Sequence, residues 1–445
     1  MKAREVALRL LLSWEAEGKY ANLALQSPLF SSLSEQERGL ATTLFYTAVE
    51  RRITLDHLIG AWSARPADSL SAHTRALLHI GLTQLLYLDR IPVHAAVSET
   101  VTLAAHAGER SLVNAILRRA ARERDALPLP KREKNLVRYL SVAHSFPPPL
   151  VRFFLEGFGE ETAEELLRAF NRPAPLTLRV NTCRVTREAL LLRLCEAGIH
   201  ATPTVYADTG IRVSDPIPPA KLPGYAEGYF FVQDEASQLA TAALAPRAGE
   251  RVIDVCAAPG GKSLSAAIAM GDGGELIAMD LYESKCSLIE ASAERLGLRS
   301  VHVRAHDATA PCEALVGTAD RVICDVPCSG LGVLGKKPDL RYKEAEALDR
   351  LPALALDILT SSAAYLKAGG VLVYSTCTLA EAENRAVVDA FLREHEEFSL
   401  VPRTAGSLYL DGGDLTLLPH VHGTDGFYIA HLRRDGCCSD KKGDL

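Results

Sequence analysis

Apolar residues in the first ~125 positions recur every three or four residues, which is the spacing of a buried stripe on successive helices. The series begins with Ala3, Val6, Ala7, Leu10, Leu11 and Trp14. Ser34 followed by Glu37 has the form of a capping box. It predicts a second long helix through Leu40, Leu44, Phe45 and Val49. The same period predicts helices near 53–62, 71–88, 93–106 and 111–124, and so an all-α bundle over 1–128. Prolines then interrupt the pattern. The stretches DALPLPKREKN and SFPPPL, between about 126 and 150, predict a linker.

A helical segment near 159–170 precedes LTLRVN, whose alternation predicts a strand. TREALLLRLCEAGI then reads as a helix and IRVSD as another strand. Linker and small mixed α/β unit together occupy 129–235. DEASQLATAALA predicts the helix that leads into a last domain, 236–435. There, short apolar strands alternate with helices: RVIDVCA, a helix from Ser263, ELIAMD, a helix through Leu288 and Leu296, SVHVRAHD, RVICDV, a helix near 347–367, and GVLVYST. Alternation of this kind predicts a doubly wound, Rossmann-like sheet with ligands at the carboxyl ends of its strands. Residues 436–445, GCCSDKKGDL, read as a mobile tail in which Cys437 and Cys438 are incidental thiols.

Composition narrows the class. A chain of 445 residues, 48% hydrophobic and 23% charged, is ordinary multidomain globular material. No apolar run reaches the ~18 residues of a membrane span. The apolar residues of the N-terminus are interrupted by Glu15, Glu17 and Lys19, which excludes a secretory signal, and a cytoplasmic protein is expected. All ten cysteines lie beyond residue 182 and lack paired CxxC spacing, so reduced thiols and no metal site are expected. A net charge of −6 argues against coating nucleic acid by bulk electrostatics. The charge is uneven, however: residues 1–140 carry +5 and the remainder −11. Any grip on nucleic acid is then concentrated in the first third. Arg118, Arg119, Arg122 and Arg124 in SLVNAILRRAARER either follow a phosphate backbone or form a solvated face over Leu112, Ile116 and Leu117.

The candidate chemistry sits at the predicted strand ends. RVIDV runs into CAAPGGK, where Gly260 and Gly261 permit a tight turn and close approach of a ligand ahead of a helix. A Walker A loop would need glycine where Cys256 stands, and G-x-G-x-x-G is absent, which disfavours ATP hydrolysis and hydride transfer. Asp280 closes the next strand, where a carboxylate can accept from ribose hydroxyls, and Asp307 closes the third, within reach of an adenine amino group. Singly, each is an ordinary capping or turn residue. Together they favour adenosine recognition.

DVPCSG ends the fourth strand with Asp325 and Cys328, and YSTCTL ends the fifth with Cys377. Free cysteine is usually a small buried hydrophobe, but two thiols beside a glycine turn suit covalent work on an electron-poor ring. Carbon 5 of cytosine is a poor nucleophile until a thiolate adds at C6 and makes it enamine-like. An acid near N3, here Asp325, would offset the developing charge, and a second group must then help remove the C5 proton.

VIDVCAAPGGKS, DVPCSGLGVL, YSTCTL followed by Glu383 and Asn384, and HGTDGFYIA resemble the RNA 5-methylcytosine methyltransferases. The helical front, with ERSLVNAILRRAARE, resembles the NusB-like RNA-binding domain of the branch acting on bacterial small-subunit (16S) ribosomal RNA. The resemblance implies S-adenosylmethionine held by Cys256, Ala257, Ala258, Pro259, Gly260, Gly261 and Lys262, with Asp280 on the ribose, Asp307 near the adenine and Asp325 between cofactor and base. It also implies that Cys377 is the nucleophile and Cys328 assists product release, an assignment spacing alone leaves open. Lys262 supports the Asp325 region or the cofactor turn, or is a plain helix-start lysine. KKPDLRYK departs from the arginine or tryptophan frequent there in the family, which touches substrate contacts rather than chemistry. The expected partner is ribosomal RNA bound by a monomer, with neither DNA nor membrane. A tRNA-directed enzyme is one alternative. An RNA-binding factor with a vestigial catalytic domain is another, though neither cysteine nor the glycine turn is lost.

Overall fold

The structure, a computed structural model, describes residues 2–17, 27–343 and 349–436. Cys437, Cys438 and the rest of the predicted tail after Gly436 lie outside the described residues, as do 344–348. The chain divides into two compact units. The first takes the N-terminal residues up to Arg172 together with Leu334–Lys343, and the second takes the remainder.

The first unit is helical. Its elements are α1 (Ala3–Glu17), α2 (Glu35–Glu50), α3 (Arg52–Ser63), α4 (Ala72–Tyr87), α5 (Val93–Val101), α6 (Ala107–Glu123), α7 (Leu136–His144), α8 (Pro148–Phe158) and α9 (Glu160–Phe170). The predicted capping box is present: Ser34 accepts from the Glu37 backbone N–H and the Glu37 side chain accepts from that of Ser34. The apolar stripe of α1 packs with Leu44, Phe45, Leu55, Leu77 and Leu117 in one core. α6 begins earlier than periodicity predicts, because His106 caps it by accepting from Glu109 N. On α6, Arg118, Arg119, Arg122 and Arg124 are exposed while Ile116 and Leu117 are buried. Arg118 bonds Asn114, and Arg119 bonds Glu123 and the Trp62 carbonyl.

The stretch read as a linker contains α7 and the first turn of α8. Asn135 caps α7 by accepting from Arg138 N, and Pro148 stands in the first turn of α8. A proline there sacrifices no intrahelical hydrogen bond, so the residues that looked like breakers start a helix. Val151 and Phe154 of α8 are fully buried. The segment Leu334–Lys343 joins the same unit through Arg341, which is 3% exposed. Its guanidinium lies 3.9 Å over the Phe146 ring and donates to the carbonyls of Glu50, Ser145, Phe170 and Leu334 and to Asn171 Oδ1.

The second unit opens with β1 (Leu176–Val180), α10 (Arg187–Glu196), β2 (Ala201–Pro203), β3 (Gly210–Val213) and β4 (Phe230–Val232). These strands form an antiparallel sheet in the order β2-β3-β1-β4. Leu178, Val180, Ile211 and Phe230 pack on Leu190 and Leu194 of α10. Then follow α11 (Glu235–Leu244), β5 (Arg251–Asp254), α12 (Gly261–Ala269), β6 (Glu275–Asp280), α13 (Glu283–Leu296), β7 (Val301–Ala305), β8 (Ala319–Asp325), α14 (Leu351–Ala363) and β9 (Leu366–Thr376). The chain closes with α15 (Arg385–Glu394), β10 (Phe398–Leu400), β11 (Arg403–Ala405), β12 (Leu408–Leu410), β13 (Asp414–Leu417), α16 (Pro419–His422) and β14 (Phe427–Arg434).

The large sheet runs β10-β14-β9-β8-β5-β6-β7, with β13 beside β14. β9, β8, β5, β6 and β7 are parallel, and β14 enters antiparallel to β9. Side chains alternate between two cores: Val252, Leu276, Ile323, Val373 and Ile429 face one, Ile253, Ile277, Val322, Leu372 and Tyr428 the other. A period of two buried on both faces identifies a central sheet covered by helices. β9 begins at Leu366, inside the span read as helix, because Gly369 and Gly370 sit where the register to β8 shifts. That irregularity interrupts the strand pattern at its start. The parallel strands reverse order between β5 and β8, so a crevice opens at their carboxyl ends there.

Candidate active site

The turn after β5 is folded back on the next strand. Ala257 N donates to Met279 O at 2.8 Å, and Ala258 N donates to Asp280 Oδ2 at 3.1 Å. Gly260 closes the turn with φ +105°, a left-handed conformation that L side chains avoid. A Cβ there would also stand 3.2 Å from Ile289 Cγ2. Cys256 through Lys262 and Asp280 are thus gathered at one strand end. Asp280 is 7% exposed, and Lys285 Nζ lies 3.7 Å from its other oxygen. Burial pushes the Cys256 thiol well up, so this cysteine remains protonated. Asp307 is exposed and engaged locally: Oδ1 accepts from the Thr309 N–H at 3.0 Å and hydroxyl at 2.8 Å. Those two bonds hold its carboxyl below the usual range.

Lys262, in the first turn of α12, reaches across to β8. Its Nζ donates to Asp325 Oδ2 at 2.6 Å and lies 5.0 Å over the Phe427 ring. Asp325 Oδ1 accepts from the Ser375 hydroxyl at 2.7 Å. Beside this ion pair the two motif cysteines converge, with Cys328 Sγ 3.3 Å from Cys377 Sγ. The adjoining Cys377 sulfur, then burial, drive the Cys328 thiol well above its ordinary value. Both residues are half-buried.

Several residues that shape this corner are not among the site residues expected from the sequence, although Glu383, Asn384 and Gly426 fall in the stretches that carry the resemblance. Asp254, at the end of β5, is 1% exposed and accepts the Ser263 hydroxyl at 2.5 Å. Ser329 N donates to Glu383 Oε2 at 2.8 Å, and the Ser329 and Thr378 hydroxyls share a 2.6 Å hydrogen bond. Thr376 Oγ1 donates to Asn384 Oδ1 at 2.5 Å, and Asn384 Nδ2 to Thr378 O at 3.1 Å. A Cβ on Gly332 would run into the Gly426 carbonyl. The backbones approach closely because Gly332 N donates to Cys377 O at 2.9 Å and Gly426 N to Gly332 O at 2.8 Å. Ser329, Thr376 and Thr378 lie inside the DVPCSG and YSTCTL motifs as immediate neighbours of the two cysteines.

A doubly wound sheet with a glycine turn after its first strand, buried Asp280 at the second, and thiols beyond the fourth and fifth defines a Rossmann-like methyltransferase domain. Residues 241–433 match the profile described as 16S rRNA methyltransferase RsmB/F, residues 1–122 that of the NusB family, and residues 146–219 the RsmF/B-like ferredoxin-like domain. A Bacillus subtilis protein named "Probable ribosomal RNA small subunit methyltransferase B" is 37% identical over 97% of this chain and 99% of its own. The solved structure of PH0851 superposes with a TM-score of 0.79 at 26% identity, covering 98% of this chain and 99% of its own. A methyltransferase homolog from Pyrococcus horikoshii covers 67% of this chain and 99% of its own, with a TM-score of 0.60 and 26% identity. The chain belongs to the RsmB/F family of 16S rRNA methyltransferases.

Proposed function

We propose that this protein transfers a methyl group from S-adenosylmethionine to C5 of a cytosine in small-subunit ribosomal RNA through a transient Cys377–C6 bond. The observation that carries the reading is the 3.3 Å approach of Cys328 and Cys377 beside the Lys262–Asp325 pair. Membership of the family supports the cofactor and the RNA; the two thiols support the chemistry.

The residues present fit the cofactor. The turn 256–262 is tight, with Gly260 at φ +105° and no room for a Cβ against Ile289, and the buried Asp280 carboxylate accepts from its Ala258 N–H. These residues would hold the adenosine and amino-acid parts, with Asp307 near the base. When bound, the cofactor supplies a sulfonium-activated methyl group. Asp325, held by Lys262 and Ser375, would act in its protonated form, passing a proton to N3 as the Cys377 thiolate adds to C6 and taking it back on release. After methylation, the C5 proton leaves to solvent with Cys328 assisting the release. The C5–H electrons restore the C5–C6 double bond, and the C6–S electrons return to Cys377. The target base must be unpaired or turned out of its helix to reach sulfur. The helical unit, with its exposed arginines, contributes RNA affinity through phosphate contacts.

Tritium transfer from labelled cofactor to under-methylated small-subunit rRNA tests the activity, with tRNA as competitor. Cys377→Ala abolishes transfer, and Cys328→Ala accumulates enzyme bound covalently to RNA, seen as a slow band on a denaturing gel. Trapping by Cys377→Ala instead would overturn the division of labour, and preferential labelling of tRNA would overturn the substrate.

A further inference from the structure

Cys377 and Cys328 are held by different means. Cys377 directly follows Thr376, the last residue of β9, which pairs with Tyr428 of β14. Its backbone is therefore set by the sheet. Cys328 lies three residues beyond Asp325, the end of β8, with Pro327 exposed before it. Fixing that loop falls to its neighbours, and Ser329 makes two bonds toward the far side of the site. Its N–H reaches the Glu383 carboxylate and its hydroxyl meets Thr378 Oγ1. The same Thr378 oxygen accepts from Ala380 N at 3.2 Å, and Tyr374 OH donates to the Glu383 carbonyl at 2.5 Å. All these polar groups are buried: Ser329 is 2% exposed, Thr378 0% and Glu383 5%.

A hydroxyl bridge and a carboxylate this deeply buried are costly unless satisfied, and here they satisfy one another across two loops. The apolar alternative would pack the same space without fixing a register between Cys328 and Cys377. We infer that Thr378, Ser329 and Glu383 are positioning residues that hold the Cys328 sulfur in place for product release. The inference rests on the cysteine roles proposed above and extends them to three residues outside the turn 256–262 and the cysteine pair. Because Cys377 is anchored by the sheet, loosening the bridge leaves attack intact and slows release. The enzyme should then stall after methyl transfer with the Cys377–C6 bond unbroken.

The test is Thr378→Val, which keeps the shape and removes the hydroxyl, and Ser329→Ala, which cuts the same bridge from the other side. Each is incubated with S-adenosylmethionine and small-subunit rRNA beside Cys328→Ala. The expected result is covalent enzyme–RNA complex at about tenfold the wild-type level, the effect of a release barrier raised by ~1.4 kcal/mol. Cofactor affinity should be unchanged, which also reports that the variants are folded. Thr378→Ser restores the hydroxyl and should restore release, which a purely structural role in stability would not require. If Cys328→Ala traps RNA while both bridge variants turn over without adduct, the positioning role is overturned. If Cys328→Ala itself fails to trap, the cysteine assignment is wrong and the positioning role falls with it.

Discussion

Lys262 Nζ sits 2.6 Å from Asp325 Oδ2, and the lysine side chain is 10% exposed. A cation this enclosed commits the carboxylate to one orientation, with its other oxygen on Ser375. Asp325→Asn preserves the shape and removes the ionisable carboxyl, so the proposed proton donor to N3 and the ion pair are lost together. The expected effect is a fall in kcat of about 10²–10⁴-fold, the range for removal of a positioned acid–base group. Cofactor affinity should change far less. Single-turnover methyl transfer and calorimetric cofactor titration separate the two, and a loss confined to cofactor affinity would contradict this role.

Gly260 takes φ +105° at the point where the cofactor turn becomes α12. Alanine there meets a backbone penalty of roughly 1–2 kcal/mol and crowds Ile289. Gly260→Ala is therefore expected to weaken cofactor binding by about tenfold or more through a displaced turn. Calorimetric titration with S-adenosylmethionine measures this directly, and an unchanged Kd would show that the turn does not hold the cofactor.

Asp254 gives a pH signature. Burial raises its pKa to about 7; the nearby Asp325 also raises it, while the Ser263 hydrogen bond and Lys262 oppose the shift. A raised carboxyl pKa favours the protonated form in the folded state. The associated stability is thus fully present below about pH 4 and is lost as pH rises through about 7. Asp254→Asn fixes the neutral state and can still accept from Ser263. Its Tm should fall less than that of wild type between pH 5 and pH 8, as followed by thermal melts. Parallel curves for the two proteins would show that Asp254 does not titrate in this range.

Legibility in the sequence followed the range of the physics. The helices of the first unit and the parallel strands announce themselves because burial on one face or two imposes a local period, as in α1 and β6. Pro147 and Pro148 look like breakers in the sequence because proline's meaning depends on whether a helix follows. β14 is buried along nearly its whole length and pairs with β9 far earlier in the chain, so no local alternation marks its role. The strand-end motifs displayed Cys328, Cys377, Asp325 and the glycine turn individually. Their convergence is a property of strand order, and 49 residues separate the two sulfurs in sequence. Asp254, Ser329 and Thr378 stayed hidden because a single polar residue next to a motif looks like any other. Resemblance, rather than spacing, assigned the roles of the cysteines.

Arg341 supplies the last prediction, on the helical unit. It comes from the KKPDLRYK stretch. Its guanidinium donates to five acceptors contributed by Glu50, Ser145, Phe170, Asn171 and Leu334. Burial lowers its pKa to about 10, still high enough to keep it charged at neutral pH. Glu50, whose carboxyl is raised by burial and lowered by Arg51 and Arg341, gains charge compensation from it. Arg341→Met fills much of the volume but leaves those carbonyls buried without a donor, at about 1–3 kcal/mol for each acceptor that water cannot reach. Arg341→Lys retains the charge yet cannot present donors in a planar fork, so it should rescue only part of the loss. Denaturant unfolding followed by Trp14 and Trp62 fluorescence, both in this unit's core, should show Met less stable than Lys and Lys less stable than wild type. Equal stability of Met and wild type would mean that this buried cation is neutral to the fold, as some replaceable buried ion pairs are.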